Sequence, residues 1–274
     1  MIGHVLDDRY ELLRLLGQGG MGSVYEGRHT GTGRRVAVKL LPSEALEPEH
    51  IARFQREARA FGALQTQHIA QVLDVGTDAV TGVPYLVLEL LEGEDIYSLV
   101  QRLGPLPVGL ALRIGVQACF GLERAHEAGI IHRDIKSANL FLARWERGQR
   151  VVKLLDFGVA KVHDPTLAGG VITRAGQVMG TPLYMSPEQA CNLASADARS
   201  DIWSLGVILY ECLAGRPPHK GLRSFGETLA AIVTKPAPPL REVAPWVPKE
   251  VAEVIHRALT KDRSARYPSA EAFA

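Results

Sequence analysis

One stretch limits what this chain can fold into: His132-Arg133-Asp134-Ile135-Lys136-Ser137-Ala138-Asn139. Within eight residues it holds a candidate base, cationic side chains and an amide, and Asp156-Phe157-Gly158 begins twenty-two positions after Asp134. Between them, Leu140-Phe141-Leu142 and Val151-Val152-Lys153-Leu154-Leu155 flank a polar insert and read as two short strands. That spacing suits a loop, a short hairpin and a second loop meeting at one place. Two carboxylates and an asparagine converging there suit a divalent metal and a phosphoryl group. For that chemistry to run, the rest of the chain must supply parts that hold a nucleotide.

With 274 residues the chain has room for one large domain or two lobes around a sizeable core. A formal net charge of +1 points neither to nucleic acid nor to an anionic membrane surface. No apolar run is long enough to span a membrane, and Met1-Ile2-Gly3-His4 lacks the pattern of a secretory signal. Cys119, Cys191 and Cys212 have no metal-ligand spacing and fit structural thiols in a reducing, cytoplasmic compartment. The sequence ends at Ala274 inside a helix expected to begin near Ser269. More sequence is therefore expected to follow, and a membrane anchor or sensor there would lie beyond residue 274.

Residues 10–41 read as strand, Gly-rich turn, strand, turn, strand. Glycines in Gly17-Gln18-Gly19-Gly20-Met21-Gly22-Ser23-Val24 let backbone N–H groups approach phosphate oxygens without a Cβ in the way. The same spacing also occurs in plain hairpins. A dinucleotide fingerprint needs a helix directly after the glycines, and here a second strand follows. Lys39, between apolar neighbours on the third strand, is either a solvent-facing lysine or a phosphate-pairing one that needs a carboxylate to hold it. Residues 48–64 read as a helix with Ile51, Phe54, Ala58 and Phe61 in an apolar stripe. Glu57 falls at the stripe's edge, where its partner is either Lys39 or Arg53 on the same helix. Two more strands are expected at 72–75 and 85–89, with a boundary at 90–93.

Beyond Pro107 the pattern is mainly helical. A long apolar helix over 107–128 ends at Gly129. Residues 159–185 are weakly periodic and read as a functional loop. Ser200-Asp201 is expected to cap a helix, 202–214, that is apolar nearly all round and belongs in a core. Further helices are expected at 224–235 and 249–261. Trp203 and Trp246 are expected in the core.

These pieces resemble the protein kinase superfamily, and closely the bacterial eukaryotic-like (Hanks-type) serine/threonine protein kinases. The motifs occur in that family's order: G-Q-G-G-M-G-S-V at 17–24, A-V-K at 37–39, H-R-D-I-K-S-A-N at 132–139, D-F-G at 156–158, S-P-E at 186–188 and D-I-W-S-L-G at 201–206. The resemblance covers about residues 10–274 and implies an α+β, bilobal fold. Residues 1–91 would be an ATP-binding N-lobe with a five-stranded antiparallel sheet and one main helix. Residues 92–274 would be a mostly helical C-lobe carrying the catalytic and activation loops. Its implied cofactors are ATP and Mg2+ or Mn2+.

The resemblance also implies roles. Residues Gly17, Gln18, Gly19, Gly20, Met21, Gly22 and Ser23 would fold over the phosphates, and Lys39, paired with Glu57, would hold them. Leu16, Val24, Ala37 and Phe141 would sandwich the adenine. Leu88 would be the gatekeeper, with the backbones of Glu89 and Leu91 bonding the base and Asp95 reaching the ribose. Asp134 would accept the substrate hydroxyl's proton, Lys136 would steady the γ-phosphate, and Asn139 and Asp156 would bind the metal. Phe61, His132 and Phe157 match a hydrophobic column of that family. Asp201 would hold the catalytic loop, and Glu188 and Arg266 match a buried ion pair.

Lys136 and Gly180-Thr181-Pro182 point to Ser/Thr rather than Tyr substrates. Arg133 matches an arginine that receives a phosphate on the activation loop. Thr173 is the first candidate acceptor and Thr166 the second, with autophosphorylation between two transiently paired copies. The implied partners are protein substrates, with no nucleic acid and no membrane contact within this segment. Two other functions compete. A scaffold without transfer activity usually lacks one of Lys39, Asp134 or Asn139, and all are present. Small-molecule kinases of the aminoglycoside or choline type share an H-x-D-x-x-x-x-N stretch but lack the Ser-Pro-Glu triplet.

Overall fold

The computed structural model describes residues 1–19, 22–41, 48–145, 148–156, 182–192 and 195–274. They fall into two compact units, residues 1–92 and residues 93–156 with 182–274.

The first unit is built on a six-stranded antiparallel sheet in the order β1-β2-β3-β4-β6-β5. Its strands are β1 (Val5–Leu6), β2 (Tyr10–Gly19), β3 (Gly22–His29), β4 (Arg35–Leu40), β5 (Val72–Thr77) and β6 (Pro84–Glu89), with helix α1 (Pro48–Gly62) between β4 and β5. Alternation along the strands sorts side chains onto two faces. Leu6, Tyr10, Leu12, Val36, Val38, Leu40, Tyr85 and Val87 form one core. Leu86 faces the other way and packs with Leu41 and with Phe54 and Ala58 of α1, backed by Val72, Val75 and Leu88. The apolar stripe read from the sequence is thus the face that α1 turns to the sheet.

One strand more is present than the sequence pattern suggests. β1 is two residues long and has no alternation of its own to betray it. It is fastened by distant side chains: His4 Nε2 lies 3.1 Å from Asp78 Oδ2, Tyr85 donates to Asp7 Oδ2 at 2.7 Å, and Ala79 N donates to Asp7 Oδ1 at 2.9 Å. Asp78 has no exposed surface. Burial would raise its pKa, but bonds from Thr81, His4 and Asp7 outweigh that and hold it at about 2.

The second unit contains a three-stranded antiparallel sheet, β7 (Gly93–Asp95), β8 (Leu140–Arg144) and β9 (Arg150–Leu154), in that order. Its helices among the described residues are α2 (Ile96–Leu103), α3 (Val108–Glu127), α4 (Pro187–Cys191), α5 (Ala198–Ala214), α6 (Phe225–Thr234), α7 (Leu240–Val243), α8 (Lys249–Ala258) and α9 (Ala270–Phe273). Helix α5 is buried along its length from Ser200 to Leu213. Two glycines let neighbours come close to it. A Cβ on Gly115 of α3 would lie 3.0 Å from Leu209, and one on Gly206 would lie 3.0 Å from Ala258 of α8.

Three sequence expectations need correction here. Ser200 and Asp201 do not cap α5: Asp197 does, accepting from Arg199 N at 2.9 Å, and the other two lie inside the first turn. Trp203 is in the core, but Trp246 is 57% exposed, in the turn between α7 and α8. Strand β7 and helix α2, absent from the sequence reading, occupy residues 93–103, just after the expected boundary at 90–93. Among the described residues no helix is long and apolar enough to cross a membrane.

Gly22 closes the β2–β3 register opposite Gly19, with φ +110°. A Cβ there would lie 2.0 Å from Leu40 O. Gly22→Ala is expected to destabilise the first unit by more than about 2 kcal/mol, combining backbone strain with that clash. Thermal unfolding reads it, and an unchanged Tm would refute the clash.

Candidate active site

In the first unit, cross-strand partners share a face of the sheet. The register pairs Val24 with Lys39, Lys39 with Leu86, and Ala37 with Leu88. Val24, Ala37, Lys39 and Leu88 therefore stand on the face that α1 covers. Lys39 is 6% exposed, so its ammonium is not a solvent-facing group. Glu57 is half-buried on α1 beside the fully buried Ala58, and Phe61 is buried one turn on. Leu16, Gln18 and Gly19 are exposed on β2, Gly17 lies opposite Val24, and Ser23 lies opposite Gln18. Glu89 ends β6, its N–H donating to Gln71 O at 3.0 Å, and Leu91 is half-buried just after it. Gly20 and Met21 lie outside the described residues.

In the second unit the stretch from His132 to Asn139 hangs from helix α5. Asp201 is 1% exposed and accepts His132 N and Arg133 N, each at 2.9 Å. His126 Nε2, on α3, lies 2.8 Å from the same carboxylate. These bonds hold Arg133 at φ 63°, a backbone region that costs an L residue about 1–3 kcal/mol. Asp156 also has a positive φ, 49°.

The polar groups then close on Asp134. Lys136 Nζ donates to its Oδ2 at 3.0 Å. Asn139 Nδ2 donates to its carbonyl at 2.9 Å and to Oδ2 at 3.3 Å. Leu155 N donates to Asn139 O at 2.8 Å, which sets Asp156 next to Asn139 in space. His132 Nε2 reaches Leu155 O at 2.9 Å, while its Nδ1 accepts from Asp134 N at 3.3 Å. Burial lowers the His132 pKa, so the ring is neutral and both nitrogens are engaged. It links the loop to the backbone of Leu155 and Asp134.

Phe141 lies on β8 opposite Lys153, half-buried. Asp95 has both carboxylate oxygens engaged at the start of α2, accepting Ser98 N at 2.8 Å and Ser98 Oγ at 2.7 Å. Glu188 and Arg266 meet through two bonds of 2.8 and 2.9 Å. Ser200 Oγ adds a third to Glu188 at 2.7 Å, and Arg266 also donates to the carbonyls of Thr260, Arg199 and Lys261 while lying over the Trp203 ring. Phe157, Thr166 and Thr173 lie outside the described residues.

Several residues of this site were not read from the sequence. Tyr184 donates to Glu211 Oε2 at 2.7 Å and lies 2.8 Å from Ser137 Oγ. Burial, with the Glu211 charge beside it, raises its pKa, so the phenol stays protonated. Ser204 Oγ donates to Tyr184 O at 2.7 Å. Gln189 Nε2 donates to Arg133 O at 3.0 Å, and His126 reaches the Asp201 carboxylate that holds the loop. Only Gln189 had a local signal, standing three residues after Ser186 as a capping box requires.

A family model described as protein kinase domain matches residues 10–274. The chain belongs to the protein kinase family. It is 40% identical over 265 residues to serine/threonine-protein kinase Pkn1 of Myxococcus xanthus, covering 96% of this chain and 37% of that protein. It is 40% identical over 277 residues to serine/threonine-protein kinase PknA of Mycobacterium tuberculosis, covering 100% of this chain and 61% of that protein. The fold is similar to the crystal structure of the M. tuberculosis PknI kinase domain, with TM-score 0.75 and 28% identity, covering 100% of this chain and 95% of that one. The chain thus spans between about a third and three fifths of the length of these curated relatives.

Glu188 makes a sharp stability test. Burial alone would raise its pKa, but the Arg266 and Ser200 bonds outweigh that and hold it at about 2 against a usual 4.5. A depressed carboxylate stabilises the fold fully above 4.5 and loses that contribution as pH falls towards 2. Glu188→Gln leaves the Arg266 charge buried without its counter-ion and is expected to cost about 3–5 kcal/mol at neutral pH. Denaturant titration should show the gap to wild type shrinking below pH 4.5. A gap constant with pH would rule out the ion pair as its source.

Proposed function

We propose that this chain is the catalytic domain of a serine/threonine protein kinase, transferring the γ-phosphoryl group of ATP to Ser or Thr hydroxyls of protein substrates. The observation that carries the reading is the Asp134 carboxylate held between Lys136 and Asn139 on a loop tied to a buried core helix. The names of the relatives support the class. Lys136, two residues after Asp134, supports Ser/Thr over Tyr.

Asp134 receives the hydroxyl proton and orients that oxygen for in-line attack. It need not be a strong base, because charge develops mostly on the phosphoryl oxygens. Lys136 and Lys39 offset that charge, Lys39 being kept in place by Glu57. In the first unit, residues 17–23 cover the phosphates, Leu16, Val24 and Ala37 contact the base with Leu88 as gatekeeper, and the backbones of Glu89 and Leu91 bond it. In the second unit Phe141 contacts the base. Asp95 gives the ribose a weaker candidate, since capping α2 already occupies its carboxylate.

Asn139 and Asp156 fit a small divalent cation. The Asn139 nitrogen is committed to Asp134, which makes its oxygen the ligating end of the amide, and Asp156 adds a hard carboxylate oxygen. When bound, Mg2+ or Mn2+ supplies charge neutralisation at the transferring phosphoryl group. Regulation rests on Arg133 and phosphate at Thr173, or secondarily Thr166, added by a second copy in a transient pair. The free thiols of Cys119, Cys191 and Cys212 suit a reducing, cytoplasmic compartment.

Asp134→Asn is expected to lower kcat by about 10²–10⁴-fold with ATP affinity retained, the range for a positioned proton acceptor. The measurement is transfer of labelled phosphate from ATP to a generic protein substrate. Equal transfer by wild type and variant would sink the mechanism, and transfer only to a small metabolite would favour a metabolite kinase.

A further inference from the structure

Gln189 is the third residue of α4, 5% exposed, and its amide serves two masters. Oε1 accepts Ser186 N at 3.0 Å and Ser186 Oγ at 3.1 Å, closing the capping box of α4. Nε2 donates to Arg133 O at 3.0 Å, fifty-six residues away in sequence.

That carbonyl belongs to the peptide leading into Asp134. The N–H of the same peptide donates to His132 Nδ1 at 3.3 Å. His132 can accept there because its Nε2 carries the proton given to Leu155 O. The peptide plane before Asp134 is therefore gripped at its oxygen by Gln189 and at its nitrogen by His132. Its other neighbour, Arg133, sits at φ 63°, a conformation an L residue rarely adopts without being held. A turn of this peptide would swing the Asp134 Cα–Cβ bond and carry the carboxylate with it. Small displacements of a reacting group are costly in rate.

We propose that Gln189 is a positioning residue for phosphoryl transfer, setting the direction of the Asp134 carboxylate through the Arg133 carbonyl. This rests on the reading of Asp134 given above. The competing role is helix capping alone, and the two are separable because they use different atoms of one amide.

Gln189→Glu keeps the capping oxygen, since Glu serves a capping box as Gln does, and removes the donor. It sets a carboxylate oxygen against the Arg133 carbonyl. At about pH 8 its kcat is expected to fall about tenfold, the order of one lost hydrogen bond, with KM for ATP within about twofold. A carboxyl buried there has a raised pKa, and once protonated it can donate to Arg133 O. The deficit should therefore narrow towards about pH 6. Gln189→Met, uncharged and of similar size, should show a similar deficit at both pH values and decides the matter if the Glu variant does not fold. Ser186→Ala weakens the cap and leaves the Arg133 bond, so Tm should fall while kcat stays within about twofold of wild type.

Wild-type kcat in Gln189→Met, with wild-type protein active, would overturn this inference alone. So would a Ser186→Ala loss of kcat as large as that of Gln189→Met. Absence of transfer by wild type would overturn the phosphotransfer reading together with it.

Discussion

Much of the second unit depends on one buried carboxylate, that of Asp201. It gathers two backbone N–H groups from adjacent residues and a ring nitrogen from α3. Charge-assisted bonds of this kind are stronger than neutral ones, and in a buried setting their loss leaves donors without an acceptor. Asp201 stands in the first turn of α5, where the helix dipole favours a negative charge. The carboxylate stays where it is because α5 is packed on nearly every side. A rigid rod thus lends its rigidity to a loop with a strained backbone.

The corner formed by residues 182–191 is tied to the same rod by other chemistry. Ser204 of α5 holds the Tyr184 carbonyl, Glu211 of α5 holds its phenol, and Ser200 of α5 shares Glu188 with Arg266. Tyr184 also touches Ser137, so corner and loop are in direct contact as well as sharing a support. Burial raises the Glu211 pKa, and the Tyr184 bond partly offsets that. The corner that precedes α4 and the loop that carries Asp134 are thereby parts of one polar network.

The elements most legible in the sequence were those whose pattern is local. Helix α1 announces itself by its apolar stripe, and α3, β8, β9 and the buried α5 by apolar runs bounded by turn residues. What escaped was set by partners far along the chain. β1 exists because Asp78 and Tyr85 hold residues 4–7, which no window of local sequence contains. Ser200-Asp201 has the look of a cap before an apolar run, yet both side chains are committed to distant groups, and Asp197 takes the role. Trp246 is large and apolar, but it lies in the short turn between α7 and α8 and is exposed. Among candidate site residues, those with charged or amide groups in motifs stand out in the sequence by type. His126, Tyr184, Glu211 and Gln189 do not, because their contribution lies in which distant group they reach.

The sequence separation of these bonds has a consequence for a chain still emerging from the ribosome. Asp201 lies 69 positions after His132, and Arg266 lies 78 after Glu188. Contacts of such span form only after their loop-closure entropy has been met. Before residue 201 has been made, the His132 and Arg133 N–H groups have no carboxylate to receive them. Before residue 266 has been made, Glu188 lacks the guanidinium that makes two bonds to it. A nascent or prematurely ended chain therefore lacks the framework that directs Asp134. Synthesis must pass residue 201 before the loop's two N–H groups meet their acceptor, and residue 266 before Glu188 meets Arg266.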